Sequence, residues 1–208
     1  MAAQSDTHYV YLASRSPRRQ ELLRQLGVDF ILLHLRERPG RRRDVVEVPR
    51  RGEAPDDYVA RIAAMKADAG WRRMRQRGLP PHPVLGADTE VVLEGTIFGK
   101  PADADDAARM LARLSGRTHS VLTRVALRWH DERVVADSTT RVTFRRLSAT
   151  EIARYVATGE SQGKAGAYAV QGLAAALIRR IAGSYSGVMG LPLYETAAAL
   201  AQLGFPVL

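Results

Sequence analysis

The sequence predicts a mixed α/β fold in one domain, residues 1–208, with helices flanking a partly antiparallel sheet. Three observations point there. Residues 8–35 carry strand, helix and strand signals in succession. Residues 119–147 alternate along two arms that turn at His130-Asp131-Glu132, a long hairpin that excludes a purely parallel doubly wound sheet. The 208 residues are 46% hydrophobic, enough for one sizeable core, and contain no internal repeat and no linker long enough to separate two domains.

The first strand is Tyr9-Val10-Tyr11-Leu12-Ala13. It breaks at Ser14 and Ser16, and Pro17 follows. Ser16 suits an N-cap, and Pro17 then takes the first helical position, where its missing N–H costs nothing. Leu22, Leu23 and Leu26 give that helix an apolar face, and Gly27 can end it. Arg18 and Arg19 sit at the positive end of the helix dipole, where acids are favoured and bases are not. Two arginines there fit either a solvated strand–helix turn or a seat for an external anion such as phosphate.

Residues 36–54 are polar, arginine-rich and broken by Pro and Gly, and read as an exposed loop or inserted lobe containing the acid Glu47. Residues 56–75 have Tyr58, Val59, Ile62, Ala63, Met65 and Lys66 at helical spacing. Residues 84–101 read as a strand and a short hairpin around Glu94-Gly95, and residues 102–116 as a helix with acids first, arginines later and Gly116 as its stop. A short helix follows at 149–156, a small-residue loop at 164–172, a strand at 174–181 and a terminal helix within 191–204.

Composition narrows the function. With no cysteine, disulfides and thiolate metal sites are excluded. No apolar run reaches membrane-spanning length, and residues 1–8 do not form a signal peptide, so a soluble cytoplasmic protein is expected. The net charge of +9 attracts polyanions without choosing among them. Lys66, Lys100 and Lys164 are the only lysines among 31 basic residues, which marks them as candidates for places that need a compact ammonium.

No P-loop, GxGxxG loop or GxSxG elbow is present, and the five histidines lack metal-ligand spacing. His119 fits ordering of a strand start better than chemistry. Asp88, at the end of an apolar run and flanked by small residues, is placed for a metal ion or a water, or is a plain turn aspartate. Lys66 lies beside apolar helix positions and needs an anionic partner. Carboxylates with scattered Lys and Arg are the residue types required for metal-assisted attack of water on a polyphosphate.

The stretches LASRSPRRQELLRQLG, YVARIAAMKA, VLGADTEVVLEGTIFGKP, LSGRTHSV, KAGAYAVQG and GSYSGVMGLPLYET, taken in this order and spacing, resemble the Maf family of nucleoside triphosphate pyrophosphatases over nearly the whole chain. The resemblance implies an inosine-triphosphatase-like fold with a cleft between two lobes, and cleavage of a nucleotide to its monophosphate and pyrophosphate with a divalent cation, Mg or Mn. It makes Asp88 the general base and a metal ligand with Glu47. It gives the phosphates to Ser16, Arg18, Arg19, Lys66 and Lys100. Arg18, Thr89 and Gln171 resemble the dTTP/UTP-cleaving group, whereas the 7-methyl-GTP group has Trp, Gln and Glu in those places. The expected partner is a nucleoside triphosphate, with no specific nucleic acid and no membrane, and a homodimer is left open.

Departures from the family pattern are Arg15 beside the phosphate loop, the long basic stretch 36–46, Gly163 before Lys164, and Gly187 in place of a common Asn. The competing class is a basic regulator of cell division that binds nucleic acid or a partner without catalysis. Charge alone is its support, and the sequence shows no aromatic platform for single strands.

Overall fold

The computed structural model describes residues 9–36 and 43–207. Among the described residues the sheet has seven strands: β1 (Tyr9–Leu12), β2 (Asp29–Leu32), β3 (Val84–Leu93), β4 (Thr96–Phe98), β5 (Thr118–Trp129), β6 (Glu132–Phe144) and β7 (Ile178–Ala182). The order is β2-β1-β3-β5-β6-β7, with β4 beside β3. The pairs β1–β2 and β1–β3 are parallel and all others antiparallel, so the long hairpin has the expected effect on topology.

The helices are α1 (Pro17–Gln25), α2 (Pro55–Gln76), α3 (Ala104–Leu114), α4 (Ala149–Ala157), α5 (Tyr185–Met189) and α6 (Leu193–Gln202). In α1, Leu22 and Leu23 are buried, and Gly27 follows at φ 73°. Burial of each leucine stabilises the fold by roughly 1.5–3 kcal/mol. Glu94 and Gly95 both have positive φ, which closes the β3–β4 hairpin with the backbone twist that two-residue turns favour. In α3, Asp103 caps the start by accepting from Asp106 N, and α4 opens with a Ser148–Glu151 capping box.

Two local readings differ from the sequence expectation. Ser16 stands at the N-cap of α1, but its hydroxyl makes no capping hydrogen bond; instead the Ser14 Oγ accepts from Ser16 N at 3.2 Å. The first turn of α1 also holds no acid. The strand expected at 174–181 begins only at Ile178, because Leu173–Leu177 forms a 3-10 turn. Its alanine run lacks the β-branched side chains that favour a pleated strand.

The core divides about the middle of β3. On one side Val91, Leu93 and Phe98 pack with Leu111, Leu114, Phe144 and Tyr168. On the other, Tyr11, Leu33, Ile62, Trp71 and Val84 form one cluster and Leu12, Leu23, Leu85, Leu127 and Leu200 another. Between these two lobes lies the cleft.

Candidate active site

The sheet topology opens the cleft. Along one edge β3 pairs with β5 from Val84 to Val92. Along the other, β1 pairs with Val84 and Leu85, and β4 with Val91, Val92 and Leu93. Among the described residues, the intervening edge at 86–90 has no strand partner. There β1 ends and the chain turns through Ser14-Arg15-Ser16 into α1. The resulting cleft of about 360 Å³ is lined by Ser16, Arg18, Arg19, Glu47, Lys66, Asp88, Thr89 and Lys100, eight of the nine residues expected from the sequence. Gln171, the ninth, is exposed and outside the lining.

The floor is anionic. Successive strand residues face opposite sides, so Gly86, Asp88 and Glu90 share the face of β3 that α2 covers. Gly86 lets the helix come close: a Cβ there would meet Ala67 N at 2.5 Å and Ala63 O at 2.6 Å. That approach brings the Lys66 Nζ to 2.8 Å from Asp88 Oδ1 and 2.8 Å from Glu47 Oε1. The sequence expectation that Lys66 needs an anionic partner is met twice.

Glu47 comes from a loop fastened to α2 on both sides. Arg73 pairs with Asp44 at 2.7 Å and Arg61 with Glu53 at 2.5 Å, while Arg61 also donates to Val48 O at 3.1 Å. Burial tends to raise the Glu47 pKa, but Lys66, Lys100 and Arg19 outweigh it and hold the carboxyl below its ordinary value.

Asp88 is 6% exposed, and its Oδ2 is buried with no hydrogen-bond partner. Glu90, also in the lining, has an unpartnered buried Oε2. Burial first, and then the charges of Asp88 and Glu47, push its carboxyl up to about 8. The sequence reading missed Glu90. The available signal was its spacing: a second carboxylate two residues after Asp88 lies on the same face of a strand.

Among the described residues no three acids or histidines form a ready metal cage. The oxygen donors of Asp88 and Glu47, with Asp88 Oδ2 uncommitted, nonetheless suit a hard cation such as Mg²⁺ or Mn²⁺, which takes its remaining ligands from phosphate and water.

Arginines of the cleft are held in place. Arg18 Nε donates to Met189 O at 3.2 Å, and Arg19 Nε to Gly190 O at 2.8 Å. Arg19 also donates to Ser14 Oγ and to Thr89 Oγ1, each at 3.2 Å. Burial lowers the Arg19 pKa; Asp88, Glu47 and Glu90 work against that. Lys100 and Lys164 also line the cleft, as does Arg15, whose Nη2 donates to Leu35 O at 3.3 Å. The Lys164 pKa is depressed by burial, then by Arg18 and Lys100. His119 has the structural role expected of it: Nε2 is 2.8 Å from the hydroxyl of Tyr168, a residue of the cleft wall.

The Maf-like protein family model matches residues 9–203, a span that includes every residue named above. The chain belongs to the Maf family. Proteins named dTTP/UTP pyrophosphatase match it over nearly their full lengths. The one from Aromatoleum aromaticum is 56% identical over 95% of this chain and 97% of its own. That of Cupriavidus metallidurans is 56% identical over 95% and 98%, and that of Nitrosomonas europaea 52% over 95% and 96%. A solved structure, the Staphylococcus aureus Ham1 protein, has a TM-score of 0.44 and 16% identity, covering 65% of this chain and 71% of its own. For this Maf-family chain no helix among the described residues is long and apolar enough to cross a membrane.

Proposed function

We propose that the chain hydrolyses dTTP and UTP to the monophosphate and pyrophosphate. The observation that carries the reading is the Lys66 ammonium bridging Asp88 and Glu47 in a cleft that Arg18, Arg19, Lys100 and Lys164 also line. Acids and bases are interleaved as hydrolysis of a polyphosphate requires: carboxylates to activate a water, and cations beside them to take up negative charge. The names of the relatives at 52–56% identity support the same substrate class.

The triphosphate lies along the start of α1, where free N–H groups, the Ser16 hydroxyl and the anchored arginines face it. Asp88 Oδ2 takes the proton of the attacking water as the bond between the α- and β-phosphates breaks. Lys66 holds Oδ1, which leaves Oδ2 as the oxygen without a protein partner. Lys66 and Lys100 take up the charge that builds on the leaving pyrophosphate. A divalent cation, when bound by Glu47 and Asp88, supplies Lewis-acid polarisation of the phosphate and a more acidic water. The protein acts in the cytoplasm, on a free nucleotide rather than on nucleic acid.

Pyrophosphate release from a panel of nucleoside triphosphates at matched concentration tests the proposal. Release from dTTP and UTP well above that from 7-methyl-GTP is expected. Release from none of them rejects the enzyme reading, and preference for 7-methyl-GTP rejects the pyrimidine assignment alone.

A further inference from the structure

Thr123 lies on β5 directly across from Thr89 on β3. It is 1% exposed and is not part of the cleft lining, so it cannot touch a nucleotide. Its hydroxyl nevertheless connects to the phosphate wall. Thr123 Oγ1 is 2.7 Å from Gly187 O, a carbonyl that can only accept, so the single Thr123 hydroxyl hydrogen is committed there. Thr89 Oγ1 is 3.0 Å from Thr123 Oγ1, and with the Thr123 hydrogen already used, Thr89 must be the donor of that bond. The Thr89 oxygen is then left to accept from Arg19 Nη2 at 3.2 Å. All hydrogens in the chain are thereby assigned: Arg19 to Thr89, Thr89 to Thr123, Thr123 to Gly187.

Such a chain fixes direction as well as distance. Arg19 has five N–H hydrogens, and Gly190 O, Ser14 Oγ and Thr89 Oγ1 use one each. One hydrogen remains on each terminal nitrogen for a phosphate oxygen to accept. The far end of the chain matters too. Gly187 O is held by Thr123, Met189 O by Arg18 and Gly190 O by Arg19, so α5 and its exit are tied to the same arginines. Gly190, at φ 118°, lies where a Cβ would come within 3.6 Å of both Arg19 Nε and Thr89 Oγ1.

We propose that Thr123 is a positioning residue, which orients Thr89 and through it presents Arg19 to the phosphates. The inference rests on the reading of the cleft as a polyphosphate seat. It also gives Thr89 a role different from the one expected from the sequence: its hydroxyl is spent on Arg19 and Thr123, and its effect on substrate choice passes through the set of the guanidinium.

The test uses inorganic pyrophosphate as the binding probe, by calorimetry with Mg²⁺ present, and steady-state kinetics on UTP. Thr123→Val keeps the shape and removes the relay. We expect pyrophosphate to bind at least fivefold more weakly and KM for UTP to rise more than kcat falls. Thr123→Ser keeps the hydroxyl and should restore both to within twofold of wild type. In the Thr89→Val background, Thr123→Val should add less than twofold, because the link is already cut. Thr123→Val binding pyrophosphate like wild type overturns the proposal. So does Thr123→Ser failing as Thr123→Val does, since loss of packing rather than of the hydroxyl would then be the cause. Wild-type protein that binds pyrophosphate with this dependence but cleaves no UTP rejects the substrate reading and keeps the relay. Wild-type protein that does not bind pyrophosphate rejects both.

Discussion

The Lys66 ammonium reaches Asp88 Oδ1 at 2.8 Å because α2 lies against β3 at Gly86. A methyl group at that position would run into helix backbone, which cannot swing aside. Gly86→Ala should therefore cost about 1–3 kcal/mol through overpacking and lower turnover as well, because Lys66 and Asp88 part. Thermal unfolding and kcat on UTP check this together. A variant with a lowered melting temperature and unchanged kcat would show that the Lys66–Asp88 distance is not critical.

Asp88→Asn is close to isosteric, so the fold should survive while the proton acceptor is lost. Turnover should drop by roughly 10²–10⁴, the usual contribution of a general base. EDTA should abolish wild-type activity, with Mg²⁺ or Mn²⁺ restoring it. Circular dichroism and pyrophosphate release separate loss of chemistry from loss of fold.

Gln171 tests where the base is read. It is exposed and outside the cleft lining. Gln171→Glu should leave kcat/KM for UTP within twofold and should not by itself create 7-methyl-GTP cleavage. A tenfold loss on UTP would mean that the 164–172 segment rearranges to bring this residue onto the substrate.

Burial pulls the His119 pKa from 6.5 down to about 4. The folded protein therefore binds fewer protons than the unfolded chain between these values. The associated stability is complete above pH 6.5 and is lost as pH falls toward 4, with about 2 kcal/mol gone by pH 5. Replacement by Gln should flatten the melting temperature between pH 7 and pH 5, as read by scanning calorimetry. An equal acid sensitivity in His119→Gln would place the effect on other groups.

Glu90 has the opposite sign. Its carboxyl is raised from 4.5 to about 8, so the folded state holds the proton more tightly and stability is lost as pH rises across that window. In EDTA, Glu90→Gln should melt several degrees above wild type at pH 8.5 and no more than slightly above it at pH 5. Equal melting at both pH values would mean that the buried carboxylate carries no such penalty.

Much of this was legible in the chain. Pro17, Gly27, the Glu94-Gly95 turn and the His130-Asp131-Glu132 turn are local signals, and local physics places them within a residue or two. The scarce lysines stood out by composition, and all three line the cleft. What stayed hidden needed three-dimensional partners. Glu90 looks like any surface acid until α2 covers it. Thr123 looks like a strand threonine until Thr89 and Gly187 come within reach. The hold on Glu47 depends on Arg61 and Arg73, which the sequence presents only as two more arginines of a basic helix.

The gap between β1 and β4 along β3 has a consequence for solubility. An unpaired stretch of strand is ordinarily an invitation to a stray chain, which can add itself to the ladder and start aggregation. Among the described residues, 86–90 leave such a stretch open, yet they include Asp88 and Glu90 and share the cleft with Arg18, Arg19 and Lys100. A strand entering there would have to strip water from all of these charges at once, with nothing in an ordinary peptide to replace it. The charges of the cleft thus oppose the addition of a strand, and the sheet can keep an opening at its centre that would be hazardous were it lined with valines.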